Sequence, residues 1–579
     1  MIRVRDSLRC IPPWSLIVAA WLAAYVTRPG MLGFYSDDWN VLLRPTVDNA
    51  AFSARRLGVL MEIYANRPVH GLLTFAFSSL CGHSPVLWHT AIAALALASA
   101  FAVYGFLRAL LRLAGLESSL AAAIAAALWL VFPWMLGVTA WPSMAPGLCA
   151  VVFFVFAGRL FFDGWRRRKA PWLFPSLALL AGMLTYEAFY GQLFVLLLMG
   201  VVCGVARWVG RRRLALTLAA CGLVQAAAIA WNRLSPQIFS VAATKSLYAQ
   251  WDQKLRHSVL MLPRAFRYSA PELFPLPELV VLVLGVTCAG AIVAQLLAVQ
   301  DRKRAVRQLA LLALAACGGF IGLLIPALAG YSYKWTGHEA RTLLSPSVWM
   351  SIAAAIALAA AIHDRTPVRV TAITGSIALG FLMTLATHAR LREWAEVWAI
   401  QRRTVATAPV SQLRSAAPDS VILVTGLLRH KGLTVFAYPW DINGIMFFHY
   451  PDLLVQRLYF LPARDGALTT WDGHTVVQRK GDKLLWQRAA DELWVWALDQ
   501  RFAQRVGPPF EHPARPENAP RTDSGGSPTF APNTSSLTSL LRGSGTSDVD
   551  RGMRISAPCP QWPASFALRY TLPICKVLF

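Results

Sequence analysis

Tyr35-Ser36-Asp37-Asp38-Trp39-Asn40-Val41 follows the first apolar run of the chain, which ends near Val26, and most of what comes after is further apolar runs. Two adjacent carboxylates beside an indole, placed just past a membrane-type segment, sit at the surface of a bilayer. Ionisable groups in that position are costly, so by default they are read as functional.

Working outward, composition sets the class. The 579 residues are 56% hydrophobic and only 15% charged, with a mean hydropathy of +0.47, against about 25% charge in an average soluble domain. The Leu/Ala/Val-rich runs approach the length of about 20 residues that a membrane-spanning helix needs. A net charge of +25 raises the question of nucleic acid. Much of the basic excess, however, lies in short connections: Arg166-Arg167-Arg168-Lys169, Arg211-Arg212-Arg213 and Arg302-Lys303-Arg304. Basic clusters at alternate span ends are an insertion signal, and no basic domain with interleaved aromatics is present to track a nucleic-acid backbone. The nine cysteines show no metal spacing. Cys81, Cys149, Cys203, Cys221, Cys288 and Cys317 lie in or beside apolar runs, where a thiol acts as a small hydrophobe. Cys559 and Cys575 fall in a polar tail and are candidates to pair in an oxidising compartment.

The expected fold is an α-helical polytopic membrane protein with about eleven spans and a small C-terminal extracytoplasmic α/β domain. Pro12-Pro13 opens the first run and no cleavage site precedes Arg28-Pro29-Gly30, so that run reads as an uncleaved span with a cytoplasmic N-terminus. An external loop at 28–85 carries Asp37 and Asp38. Further spans are expected near 86–107, 119–138, 144–162, 172–186, 188–206 and 214–231. A second external loop at 232–277 precedes spans near 278–298, 309–329, 343–362 and 368–386. Each inward turn is basic. The membrane domain thus covers 1–388. Residues 389–506 begin as a charged amphipathic helix over 390–403 and continue as strand-like pieces, including Val421–Thr425 and Trp494-Val495-Trp496. Residues 507–579, rich in Pro, Ser, Gly and Thr at their start, read as a disordered linker and tail.

This alternation puts Asp37, Asp38, Arg67, His70, Glu187, Lys334, His338, Glu339 and Arg341 on one face. Such a set suits proton removal from an acceptor hydroxyl while a departing phosphate is stabilised. The first task needs a carboxylate within hydrogen-bond reach of the hydroxyl; the second needs Lys or, for bidentate geometry, Arg.

Five short stretches carry a family resemblance. Phe-Tyr-Ser-Asp-Asp-Trp-Asn-Val-Leu-Leu at 34–43, Asn-Arg-Pro-Val-His-Gly-Leu-Leu at 66–73 and Cys-Gly-His-Ser-Pro-Val-Leu-Trp-His-Thr at 81–90 together resemble the first external loop of GT-C glycosyltransferases, the group of protein O-mannosyltransferases and lipid A aminoarabinose transferases. Thr-Tyr-Glu-Ala at 185–188 resembles their Lys-Glu site, with Tyr186 where Lys stands. His-Glu-Ala-Arg-Thr-Leu-Leu-Ser-Pro at 338–346 resembles their late Arg-Tyr-Leu-Leu-Pro segment, with Thr342 for Tyr. The resemblance implies inverting transfer of a sugar from a polyprenyl-phosphate donor to a periplasmic glycan, lipid or protein acceptor, in a bacterial inner membrane. It assigns the base to Asp37 or Asp38, the donor phosphate to Arg341 with Arg67 and Lys334, and sugar or acceptor contacts to Glu187, Tyr186, Trp39, His70, His338 and Glu339. No cofactor and no metal site are assigned, although some relatives use a divalent cation.

Plainer roles compete with these. Asp37 and Asp38 suit a helix N-cap, Arg67-Pro68 a helix start, and Glu187 a structural pair with a nearby Arg. His70, His83 and His89 suit packing. Lys334, His338 and Glu339 suit a solvated loop, and Trp39, Trp141 and Trp335 an interfacial belt. Two other functions fit a membrane protein of this kind. A flippase for lipid-linked saccharides needs polar groups at the bilayer midplane, whereas these gather at one rim. A saccharide polymerase or ligase would use Arg233, Arg256, His257, Arg264 and Arg267 of the second loop.

Overall fold

Inside a bilayer a backbone must satisfy its own hydrogen bonds, so apolar runs of this composition become helices. A computed structural model describes residues 12–42, 53–169, 171–205, 209–238, 251–253, 255–256, 302–329, 331, 338–363, 366–425, 429–430, 433–436, 439–462, 467–498 and 503–506. The expected span at 278–298, most of the 232–277 loop, Lys334, and the 507–579 tail with Cys559 and Cys575 lie outside the described residues; His338 and Glu339 are described in backbone only.

The main helices are α1 (Ser15–Tyr25), α2 (Pro68–Cys81), α3 (Pro85–Ala114), α4 (Ser119–Val131), α5 (Ala145–Arg166), α6 (Leu173–Thr185), α7 (Gln192–Val202), α8 (Arg211–Ile238), α9 (Arg302–Leu328), α10 (Leu344–Ile362), α11 (Thr366–Ala406) and α12 (Pro439–His449). Local chemistry sets several ends. The Ser84 hydroxyl accepts from the Leu87 amide with Pro85 at the first helical position, and Gly115 at φ 72° closes α3 in the left-handed region. The Ser118 hydroxyl starts α4 by accepting from the Ala121 amide.

Among the described residues six helices are long and apolar enough to cross a membrane, or seven if Ser119–Val131 and Pro133–Thr139, bent by 52° at a break, form one span. The bend has a cause: Phe132, before Pro133, is extended. Apolar side chains such as Phe174, Leu223 and Phe381 are exposed on the outer surface, as lipid-facing positions require. The chain is therefore a multi-pass helical membrane protein. Among the described residues the expected eleven spans are not matched by eleven long helices. Over 12–26 only the 11 residues of α1 are helical, and α6 and α7 have 13 and 11 residues. Tyr186, extended, and Gly191, at φ 74°, interrupt the apolar run between them. In the inner bundle, α5 and α10 have 72% of their apolar windows buried against 17% for α11 at the rim.

The span expected at 368–386 and the amphipathic helix expected at 390–403 are one 41-residue helix, α11, about 60 Å long; Ala386-Thr387-His388-Ala389 offers no Gly or Pro to break it. Beyond it lie β1 (Val421–Thr425), β2 (Tyr459–Pro462), β3 (Leu468–Trp471), β4 (Thr475–Lys480), β5 (Lys483–Ala489), β6 (Leu493–Ala497) and β7 (Ala503–Arg505). One sheet has the order β2-β1-β6-β7, with β1 parallel to β2 and β6 and with β7 antiparallel to β6. All five β1 residues are buried, as expected of a central parallel strand covered on both faces. Strands β3, β4 and β5 form a separate antiparallel sheet.

The C-terminal region is packed onto the Asp-Asp-Trp segment. Trp39 stacks on Trp398 of α11 at 6.0 Å between ring centroids and lies 6.1 Å from Phe448 of α12. Phe34 meets Trp398 edge-on. Close approach depends on two glycines: a Cβ at Gly33 would fall 2.0 Å from the Trp398 ring, and one at Gly444 would fall 2.6 Å from the Trp39 Cβ and 2.9 Å from its carbonyl carbon. Gly444→Leu is expected to push α12 off Trp39 and lower the thermal unfolding midpoint, equivalent to about 1–3 kcal/mol. A variant that melts like the parent by tryptophan fluorescence would remove this contact from the account.

Candidate functional site

Ser36 stands at φ 47°, in the left-handed region that non-glycine residues avoid. The turn brings the Tyr35 amide back onto the side chain three residues ahead, where it donates to Asp38 Oδ2 at 2.8 Å. The Ser143 amide donates to the other oxygen, Oδ1, also at 2.8 Å. Asp38 is wholly buried. Burial pushes its carboxyl well above the usual carboxylate range, against the pull of the Tyr35 and Ser143 amides and with the Asp37 charge adding to the rise. Further bonds fix the same turn: Trp141 Nε1 donates to the Tyr35 carbonyl at 3.0 Å, and the Tyr35 hydroxyl donates to the Trp394 carbonyl of α11 at 3.0 Å. Asp38 is thus a clamp, with no oxygen open to an acceptor. Asp37 differs. It is half-buried, and it precedes the helical turn Asp38–Val41 without making a capping hydrogen bond.

The cations come from other segments. Arg67 precedes Pro68 at the start of α2 and forms an ion pair with Glu187 through Nη2 and Oε1, with Nε left without a hydrogen-bond partner. Its guanidinium lies 5.5 Å from the centre of the Tyr186 ring. Burial draws the Arg67 pKa down, but the charge of Glu187 outweighs it, so the guanidinium stays charged. Arg341 belongs to the helical turn His338–Leu343. Its guanidinium lies 4.6 Å above the Trp141 ring and 5.7 Å from that of Tyr331. It has no ion-pair partner among the described residues. The turn sits against Gly137, where a Cβ would come within 2.7 Å of the Arg341 amide nitrogen. The Tyr186 hydroxyl donates to the Arg341 carbonyl at 3.4 Å.

One buried group feels the charges of several of these side chains. Burial pushes the Tyr64 phenol up, and the charges acting on it are those of Asp37, Arg67, Asp38 and Arg341. Charges from both ends of a 300-residue stretch therefore act on a single phenol. Glu187 and Tyr186 join through Arg67 and Arg341.

Other expected members are placed differently. Trp39 is 1% exposed and enclosed by Phe34, Trp398, Phe448 and His449, so it packs rather than offering a sugar platform. The His70 ring nitrogens lie 3.2 Å from the Thr185 and Ser143 carbonyls, and its ring packs on Tyr64 at 4.3 Å. Burial, then the Arg67 charge, push it down to about 3, which leaves a neutral packing imidazole. Among the described residues no three His, Cys, Asp or Glu side chains are grouped to hold a metal ion. Tyr64, Ser143 and Tyr331 were not anticipated. Tyr64 lies three residues before Arg67, a weak signal; Ser143 acts through its backbone, which carries none.

The arrangement combines a half-buried carboxylate with a cation that has no acid partner among the described residues and lies over an aromatic floor. It can remove a proton and hold an anion. Asp38→Asn sets an amide NH2 against a backbone N–H and is expected to destabilise by about 1–3 kcal/mol, whereas Asp37→Asn, at a half-buried residue that makes no capping hydrogen bond, should melt closer to the parent. Equal melting of the two variants would contradict the division of roles. No protein-family model matches the chain, and comparison with curated proteins finds no match.

Proposed function

We propose that this chain is a membrane glycosyltransferase of the GT-C type. It moves a sugar from a polyprenyl-phosphate donor to a periplasmic glycan, lipid or protein acceptor, with inversion. In this reading the membrane is a bacterial inner membrane crossed about eleven times. The N-terminus is cytoplasmic, and the Asp37 rim and the C-terminal α/β region face outward, in keeping with the basic turns at alternate span ends.

The observation that supports the proposal is that Trp141 links the two segments: its Nε1 donates to the Tyr35 carbonyl in the turn that carries Asp37, and the Arg341 guanidinium lies over its ring. Asp37 accepts the proton of the acceptor hydroxyl as that oxygen attacks the anomeric carbon. The bond from that carbon to the phosphate oxygen breaks on the opposite side, and the phosphate leaves with the electron pair. Arg341, held over Trp141, neutralises the charge that builds on it. Positioned cations aimed at developing charge are a large share of such catalysis. Arg67, committed to Glu187, orients that carboxylate toward sugar or acceptor hydroxyls. With Asp38 buried, the base is Asp37 alone.

The test uses membranes containing the full chain, a panel of polyprenyl-phosphate hexoses and pentoses, and release of polyprenyl phosphate as the readout. Asp37→Asn is expected to lower the rate by about 10²–10⁴-fold, and Arg341→Gln to lower it by at least about tenfold. Full activity in Asp37→Asn protein would end the assignment. Movement of the lipid across the bilayer without sugar transfer would replace the enzyme with a flippase.

A further inference from the structure

The far end of α3 carries a second polar site. His89 near the start of α3 bonds to the Gly33 carbonyl beside the Asp37 segment. Arg108 and Arg112 come about 30 Å further along the helix, close to the thickness of a hydrocarbon core. There a cavity of about 240 Å³ is lined by Arg108, Arg112, Glu117, Ser118, Ser119 and Leu120.

Its charges are unevenly committed. The Arg112 Nε donates to Glu117 Oε1 at 2.9 Å. The Arg108 guanidinium lies 5.4 Å from the Tyr104 ring and has no acid partner among the described residues. Arg307 of α9 brings a third guanidinium to the same turn, donating to the Ala114 carbonyl at 3.2 Å. Two arginines and one glutamate therefore line the cavity, and a third arginine is bound to the end of the same helix. The Ser118 hydroxyl is already used in capping α4. A void lined this way, at the ends of two apolar helices, suits a phosphate ester at headgroup depth, and basic pockets between spans are a known mode of lipid recognition. We propose that it binds the phosphate of an anionic phospholipid from the leaflet on the arginine-rich side. The inference does not depend on what the opposite rim does.

The experiment is native mass spectrometry of the full chain in detergent, with phosphatidylglycerol or phosphatidylcholine added at equal concentration. Phosphatidylglycerol is expected to be retained in preference, and Arg108→Gln with Arg112→Gln to weaken that retention about tenfold. Arg108→Lys with Arg112→Lys should recover part of it. Arg166→Gln with Arg167→Gln, on exposed residues outside the cavity, should leave it unchanged. Glu117→Gln removes the opposing charge and should tighten binding, which keeps the test open if the double glutamine variant fails to fold. Equal retention of the two lipids, no response to the cavity variants, or displacement by millimolar inorganic phosphate (a soluble-anion site) would each overturn the proposal.

Discussion

A buried carboxylate holds the candidate site together. Asp38 accepts one amide from its own turn and one from Ser143, more than a hundred residues away. The bond to Ser143 ties the first loop to the start of α5, and the left-handed Ser36 gives the chain the reversal that the bond to Tyr35 needs. Removing a buried acceptor from two donors costs far more than such bonds contribute when both partners are absent. The turn is therefore firmly specified, and Asp37, the residue before Asp38, inherits a fixed position.

The surrounding charges follow the same economy. Arg67 and Glu187 satisfy each other in a partly buried pair, which is easily disrupted when one member is lost. Arg341 is held by aromatic faces instead, and its charge remains available to an anion. Packing of Trp39 between α11 and α12 makes the C-terminal region a wall of this corner of the molecule. That wall belongs to the same compact unit as the helices.

Much of this was legible in sequence because it rests on composition and local pattern. Apolar runs with basic ends gave the helices, the β-branched run at 421–425 gave the central strand, and Asp-Asp-Trp marked the loop. What could not be read depends on distant partners. Nothing near Asp38 announces Ser143, so the two aspartates looked interchangeable. Trp39 resembled an open platform because Phe448 and Gly444, which enclose it, lie four hundred residues on. The break expected between the spans at 172–186 and 188–206 is present at Tyr186 and Gly191, but the helices on either side of it are shorter than the hydropathy suggested. A change of composition near 389 suggested a boundary where the backbone is an unbroken helix.

The central claim is that Asp37 and Arg341 share one substrate. The most direct measurement is a cryo-electron microscopy structure of the full chain with a non-hydrolysable polyprenyl-phosphate monosaccharide. The account predicts the lipid phosphate against the Arg341 guanidinium and the anomeric carbon facing the Asp37 carboxylate, with room for a hydroxyl between them. Density for the phosphate elsewhere, with Asp37 and Arg341 both clear of the ligand, would contradict it.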